Sequence, residues 1–410
     1  MKDATIRPMA NSRISKRIGS IAESATLAVD SKAKALKAAG RPVIGFGAGE
    51  PDFPTPDLIV QAAVAAAQNP AMHRYSATNG LPALREAIAK KTLRDSGFEV
   101  DPAQVLVTNG GKQALYNTFA TLLDPGDEVI VVNPYWTTYP EAIALAGGTS
   151  VIVPTDETSG YRATVAQLEA ARTTRTKVLL FVSPSNPTGA VYSKEELESL
   201  AKILTKHPNI LIGTDDMYEH VKLKDIPFYN ILNVEPSLKD RCVVMNGVSK
   251  AYSMTGWRIG FAAGPSYIIK AMEILQSQST SNPTSISQVA AEAALSGEQA
   301  CMQPMIKAFR ERHDYVVKSF NEIPGLSCIE AQGAFYAFPD ARKAIERLYD
   351  QKILKEKTDL ALADYLLEKE GVAVVPGSAF GSDGYFRISF ATSMDNLVEA
   401  MKRIKRALTV

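Results

Sequence analysis

Between positions 105 and 263 the chain repeats one pattern, a short β-branched or apolar run followed by a longer stretch of mixed polarity. Seven runs stand out: 105–108 (VLVT), 128–132 (EVIVV), 150–154 (SVIVP), 177–182 (KVLLFV), 210–214 (ILIGT), 242–245 (CVVM) and 258–263 (RIGFAA). Most are separated by helix-like stretches, so the pattern predicts an α/β architecture with these runs as strands of one large sheet. Between two of them, SKEELESLAKIL opens with Ser193 and carries Glu196 three residues later, a capping box that starts a helix. Upstream, 55–68 and 82–95 read as helices with a proline near the first turn. After 265 the periodicity becomes helical to about 322, and short strand-like runs then return (GAFYAF, VAVVP, YFRISFA) before a last amphipathic helix from about Asp395. This change of character predicts a second, smaller α+β domain. No repeat of 20 to 50 residues and no low-complexity tract interrupts the pattern.

Composition narrows the function classes. A chain of 410 residues, 46% hydrophobic, exceeds what one core organises, which agrees with two domains. Lysine plus arginine (45) nearly cancel aspartate plus glutamate (44), so no global positive field gathers nucleic acid or anionic lipid, and a small-molecule substrate is expected. Cys242, Cys301 and Cys328 lie far apart without a metal-ligand spacing, so neither a disulfide framework nor a zinc site is expected, and a reducing cytoplasm is the default. The N-terminus lacks an apolar signal region and no run approaches the ~18 apolar residues of a membrane span. The four histidines show no paired spacing and read as structural or solvated.

The unusual polar residues follow strand ends. Gly110, Gly111 and Lys112 come after VLVT, Tyr135 and Trp136 after EVIVV, Asn186 after KVLLFV, Asp215 at the end of ILIGT, and Lys250 shortly after CVVM. In an open α/β sheet the carboxyl ends of the strands form the rim where ligands bind, so residues distant in sequence can share one site. A lysine amine condenses with an aldehyde, and an aspartate can keep a heterocycle nitrogen protonated; pyridoxal phosphate chemistry requires this pair, and Lys250 and Asp215 fit it. The cofactor's phosphate asks for backbone N–H groups at a helix N-terminus and a fixed cation. Gly110-Gly111, opening KQALYNTFATLL, offers the first, and Arg258 the second. Trp136 would stack on the pyridine ring.

The segment from Gly247 to Gly260 (GVSKAYSMTGWRIG) resembles the cofactor-attachment signature of class I aminotransferases at every defined position. The resemblance covers essentially the whole chain: GAGEPDFPTP, RYSATNGLPALREAI, TNGGKQAL, NPYWTTYPE, SPSNPTGAVY, TDDMYEH and FRISFATS are similar to bacterial subgroup Ib aspartate aminotransferases, some of which also act on prephenate. It implies fold type I, with a seven-stranded, mostly parallel sheet in a large cofactor-binding domain (51–300), a small C-terminal domain (301–410), and an N-terminal segment (1–50) that joins the small one. It also implies a homodimer. Residue by residue, it implies Lys250 as the cofactor's lysine and the base for the Cα proton, and Asp215 on the ring nitrogen. Asn186 and Tyr218 would serve the phenolic oxygen. Gly111, the backbone of Lys112, Ser249 and Arg258 would hold the phosphate, with Tyr75 reaching that of the neighbouring subunit. Arg387 would bind the substrate α-carboxylate, helped by Asn186, Trp136 and the backbone N–H of Gly49, and closure of the small domain would exclude water.

Each residue has a plainer reading. Lys250 alone would be a solvated charge, Asp215 a helix cap with Asp216 as its neighbour and competitor, and Asn186 a turn residue. Arg258 and Arg387 could form ion pairs, and Arg387, inside an apolar run, is expected to be buried against an anionic partner. Trp136 could be core and Tyr75 loop filler. Gly45–Gly49 (GFGAG) is followed by Glu50 and Pro51, so it fails the dinucleotide pattern, and Gly111-Lys112 lacks the rest of a phosphate-binding Walker loop; neither NAD nor ATP is implied. The stretch 276–285 (QSQSTSNPTS), where the best-known aspartate aminotransferases carry an arginine for the distal carboxylate, has none, so the Lys112 side chain is expected to hold that group. The expected reaction transfers the amino group of L-aspartate to 2-oxoglutarate; aromatic or prephenate transfer is the alternative, a β-lyase a further one, and a non-catalytic ligand-binding domain the reading from another class.

Overall fold

The structure, a computed structural model, describes residues 13–409, so the first twelve residues of the expected 1–50 segment lie outside the described residues. All seven runs form strands of a single sheet: β2 (Val105–Thr108), β3 (Glu128–Val132), β4 (Thr149–Val153), β5 (Thr176–Val182), β6 (Leu211–Asp215), β7 (Cys242–Gly247) and β8 (Gly260–Ala263), after a two-residue β1 (Ile44–Gly45). Their spatial order is β2-β8-β7-β6-β5-β3-β4. Every neighbouring pair is parallel except the two that involve β8, which runs against both β2 and β7. This is the mostly parallel α/β sheet the alternation predicts. β2, β7 and β8 have no exposed residue and β6 is buried at its centre, because helices cover both faces.

Local rules act as expected in the covering helices. Ser193 accepts from the Glu196 N–H and Glu196 answers at the Ser193 N–H, closing the capping box of helix Lys194–Lys206. Pro56 and Pro82 stand at the starts of helices Asp57–Ala67 and Pro82–Lys91, where a missing N–H costs nothing. The helical stretch after 265 resolves into Ser266–Ser279, Ser285–Ser296 and Gln303–Asn321.

The C-terminal strands are shorter than the runs suggest. β9 (Tyr336–Ala337), β11 (Val375–Pro376) and β12 (Phe386–Ser389) make an antiparallel sheet in the order β11-β12-β9, and β10 (Val372–Ala373) pairs in parallel with β1. The N-terminal chain is thereby fastened to the C-terminal part through Ile44 opposite Val372. A separate core of Phe309, Phe320, Phe335, Phe386, Phe390 and Leu397 lies under this sheet, and the final helix Met394–Leu408 packs against it. Among the described residues no helix is long and apolar enough to cross a membrane.

Candidate active site

β2, β3, β5, β6 and β7 point the same way, so their carboxyl ends share one edge, and the reversed β8 begins there. Residues just after the parallel strands and just before β8 therefore converge, although more than 100 positions separate them. A cavity of about 300 Å³ opens at this edge, between it and the C-terminal sheet, and every expected site residue except Tyr75 lines it. From β3 the chain runs outward to the edge strand β4 and returns past β3 to β5, so the neighbouring ends of β3 and β5 beside this cavity are the kind of switch point where open α/β sheets bind ligands.

Lys250 and Asp215 face the cavity from neighbouring strand ends. The Lys250 ammonium donates to the Gly49 carbonyl at 2.5 Å. Enclosure pulls its pKa down to about 8, aided by Arg258 and Arg387 and opposed by Glu50 and Asp215. Both side chains keep part of their surface open to the cavity while protein encloses them on the other sides. Burial raises the Asp215 pKa, against the Tyr139 hydroxyl (2.8 Å), the Met217 N–H (3.2 Å) and the charge of Lys250. Asp216 is excluded as the competitor: it is buried away from the cavity and accepts from Asn230 Nδ2 at 2.6 Å, because adjacent residues at a strand end point to opposite faces.

Gly110 caps helix Gly111–Leu122 at φ +86°, ψ 163°, a conformation reserved for glycine. Space demands glycine as well. A Cβ at Gly110 would meet Arg258 Nη2 at 2.4 Å, and one at Gly260, the first residue of β8, would meet the Gly110 backbone at 2.4 Å. The helix N-terminus and Arg258 are thus brought together by backbone contact between β2's exit and β8's entry. Arg258 itself adopts a left-handed φ of +56° and donates to the Thr255 carbonyl at 2.9 Å. Ser249 is buried beside them.

Arg387, on β12, is 1% exposed. Contrary to expectation it has no carboxylate partner among the described residues. Nη1 donates to Asn186 Oδ1 (3.0 Å), Nη2 to the Gly47 carbonyl (2.8 Å), and Nε finds no acceptor. Its guanidinium instead lies over Tyr336 (4.4 Å to the ring centroid) and Phe380 (5.0 Å). A buried cation without a counter-ion is costly unless an anion enters from the cavity.

Trp136 stands edge-on to Tyr139 at 5.5 Å, and the Lys112 ammonium lies 5.2 Å from the Trp136 ring centroid at the cavity mouth, where desolvation and the Arg258 charge lower its pKa. Tyr75 is 91% exposed and lines no part of the cavity within its own chain. Sequence reasoning missed Tyr139, Tyr336, the Gly47 carbonyl and the N-terminal residues Thr26 and Leu27, all of which line or reach the cavity. Tyr139 was within reach, three residues after Trp136 and in the first turn of helix Thr138–Leu145. Tyr336 carried no such signal.

The donor set suits pyridoxal phosphate. A glycine-lined helix N-terminus with an arginine takes a phosphate, an enclosed carboxylate takes a protonated ring nitrogen, a lysine of lowered pKa takes an aldehyde, and Arg387, with no carboxylate partner among the described residues, takes a carboxylate.

Comparison with known proteins agrees. Residues 41–404 match the family described as aminotransferase class I and II. The chain is similar to an aspartate aminotransferase of Streptomyces avermitilis (56% identity over 402 residues, 98% of each chain). It is also similar to an aspartate/prephenate aminotransferase of Nitrosomonas europaea (53% over 397 residues, 97% of this chain and 100% of that one). Among solved structures it resembles the aspartate aminotransferase of Rhizobium meliloti (TM-score 0.91, 44% identity, 97% of this chain and 98% of that one). The Thermus thermophilus aspartate aminotransferase with maleate follows (TM-score 0.89, 40% identity, 96% and 99%).

Proposed function

The chain belongs to the class I and II aminotransferase family, and on that premise we propose that it transfers the amino group of L-aspartate to 2-oxoglutarate, giving oxaloacetate and glutamate in two half-reactions at one site. The observation that carries this reading is Arg387, a buried guanidinium with no carboxylate partner among the described residues, facing the same cavity as Lys250 and Asp215. Pyridoxal phosphate, when bound, supplies the aldehyde carbon that receives the amino group and a sink for the electron pair left on the substrate Cα.

The chain's own residues do the rest. Lys250 is the attachment lysine, and its Nζ is the base that takes the Cα proton; a pKa of about 8 leaves a neutral fraction of the amine at pH 7. Asp215 holds the proton on the ring nitrogen, with Tyr139 fixing the carboxylate's orientation. Gly111, the Lys112 N–H, Ser249 and Arg258 hold the phosphate; Tyr218 and Asn186 address the phenolic oxygen; Trp136 covers the ring. Arg387 grips the α-carboxylate with Asn186 and the Gly49 N–H, and the Lys112 side chain at the mouth takes the distal carboxylate. The unit 301–410, with the described part of the 1–50 segment, closes over the 51–300 unit to exclude water. The active form is a cytoplasmic homodimer in which exposed Tyr75 serves the neighbouring phosphate.

A second reading, transfer to aromatic keto acids or prephenate, is favoured by the Nitrosomonas europaea relative, and relative turnover of oxaloacetate, phenylpyruvate and prephenate separates the two. The central test is the absorption spectrum of the purified protein given pyridoxal phosphate. A visible band that shifts on adding aspartate and is lost in Lys250→Ala is expected. A protein that stays colourless refutes the reading.

A further inference from the structure

Two phenol groups meet beside the cavity. Tyr218, six percent exposed, and Tyr336, one percent exposed, place their hydroxyl oxygens 2.7 Å apart. Among the described residues neither hydroxyl has another hydrogen-bond partner. Each carries one proton and can accept two bonds, so the pair has two protons and one shared contact to put them in. If Tyr218 donated to Tyr336, the spare proton would be that of Tyr336, whose hydroxyl has no other acceptor among the described residues, which is expensive for a buried donor. If Tyr336 donates, the spare proton belongs to Tyr218; both tyrosines line the cavity, and on the reading above it is Tyr218 that has the cofactor's ring oxygen as an acceptor.

Tyr336 is held where it can enforce this. It sits on β9, in the C-terminal sheet, whereas Tyr218 follows β6 of the large sheet. Its ring lies under the Arg387 guanidinium at 4.4 Å, edge-on to Tyr218 at 5.8 Å, and its hydroxyl abuts Gly49, where a Cβ would come within 2.7 Å. Gly49 is therefore required to be small for the hydroxyl to reach Tyr218.

We propose that Tyr336 is a positioning residue: its hydroxyl donates to Tyr218 and so turns the Tyr218 proton toward the cofactor's ring oxygen, while its ring supports Arg387. One side chain thereby couples the carboxylate grip to the hydrogen bond that sets the cofactor's acidity. This rests on the reading that Tyr218 serves that oxygen. A hydroxyl that accepts a hydrogen bond donates more strongly. A stronger donor at the ring oxygen favours the form of the bound cofactor that has lost its proton, so its spectroscopic pKa is lower than it would be without Tyr336.

The test is an absorbance pH titration of the cofactor-loaded protein in wild type, Tyr336→Phe, Tyr218→Phe and the double variant. In Tyr336→Phe the ring and its support of Arg387 remain, so KM for aspartate stays within about twofold, while the spectroscopic pKa rises by a few tenths to about one unit. In the Tyr218→Phe background the second substitution adds no further shift. An unchanged pKa in Tyr336→Phe, or a shift that persists without the Tyr218 hydroxyl, overturns the proposal. A raised KM with unchanged pKa reduces Tyr336 to a platform and overturns it too. Absence of any cofactor band in wild type instead refutes the reading of the site as a whole.

Discussion

Arg387→Lys separates the charge of the buried cation from its shape. Lysine keeps the positive charge but loses the planar fork, so of the bonds to Asn186 Oδ1, the Gly47 carbonyl and the incoming carboxylate it can satisfy only some. Hydrogen bonds to charged groups contribute about 1.5–3 kcal/mol each. Losing one fork contact to the substrate, and leaving one of the two protein acceptors without its donor, comes to about 3–6 kcal/mol. At about 1.4 kcal/mol per tenfold this lowers kcat/KM by about 10²–10⁴. The stacking on Tyr336 and Phe380 is weakened as well, which moves the value toward the upper end. The assay is steady-state transamination with aspartate and, separately, with phenylalanine, with cofactor absorbance as a check that the site still loads. Because the α-carboxylate is common to both amino acids, both reactions should fall together. A kcat/KM within threefold of wild type, or a loss confined to aspartate, would falsify the assignment of Arg387 to the α-carboxylate.

Lys112→Ala should show the opposite selectivity, raising KM for aspartate at least tenfold and leaving phenylalanine nearly unchanged; equal effects on the two remove Lys112 from distal-carboxylate recognition. In the cofactor-free protein Lys250, with its pKa near 8 in place of 10.5, binds fewer protons folded than unfolded between those values. The strain of its buried charge is therefore fully present below pH 8 and relieved as pH rises toward 10.5. Lys250→Met should accordingly be more stable than wild type at pH 7 by a few kcal/mol, with the gap closing by pH 10.5 in denaturant titrations. A gap that does not change with pH contradicts the lowered pKa. Beneath the site, buried Lys91 pairs with Glu219, which also accepts from Ser96 (2.9 Å) and Asn246 (2.7 Å). Lys91→Met leaves that carboxylate without its cation and should cost about 3–5 kcal/mol, with Lys91→Met/Glu219→Gln recovering part of it. A loss under about 1 kcal/mol, read by chemical denaturation, shows that Glu219 is held by its hydrogen bonds alone.

The seven apolar runs could be read as strands because each needs only its own side chains to prefer burial, and all seven lie within a residue or two of where they were expected. The same holds for the Ser193 capping box, whose partners are three residues apart. The C-terminal runs were less faithful: GAFYAF supplies only the two-residue β9, since its neighbours bend to meet Lys222 and Val221 across the domain. Arg387 was legible as buried but not in its partners, because an apolar run states that a side chain goes inside and says nothing of what it meets there. Tyr336 was invisible as anything but core, since its hydroxyl acquires meaning only from Tyr218, 118 positions away.

What the sequence determined by itself is therefore local. Strand and helix positions follow from periodicity and caps, and the identity of the chemical groups at the strand ends follows from their place after each run, because both depend on neighbours within a few residues. The tertiary structure decided the rest. It set the strand order, the reversal of β8 that brings Arg258 to the same edge as Lys250, and the pairing of β1 with β10. It also left Arg387 buried without a carboxylate partner among the described residues. Those outcomes depend on which distant surfaces exclude water from one another, and no spacing along the chain records that.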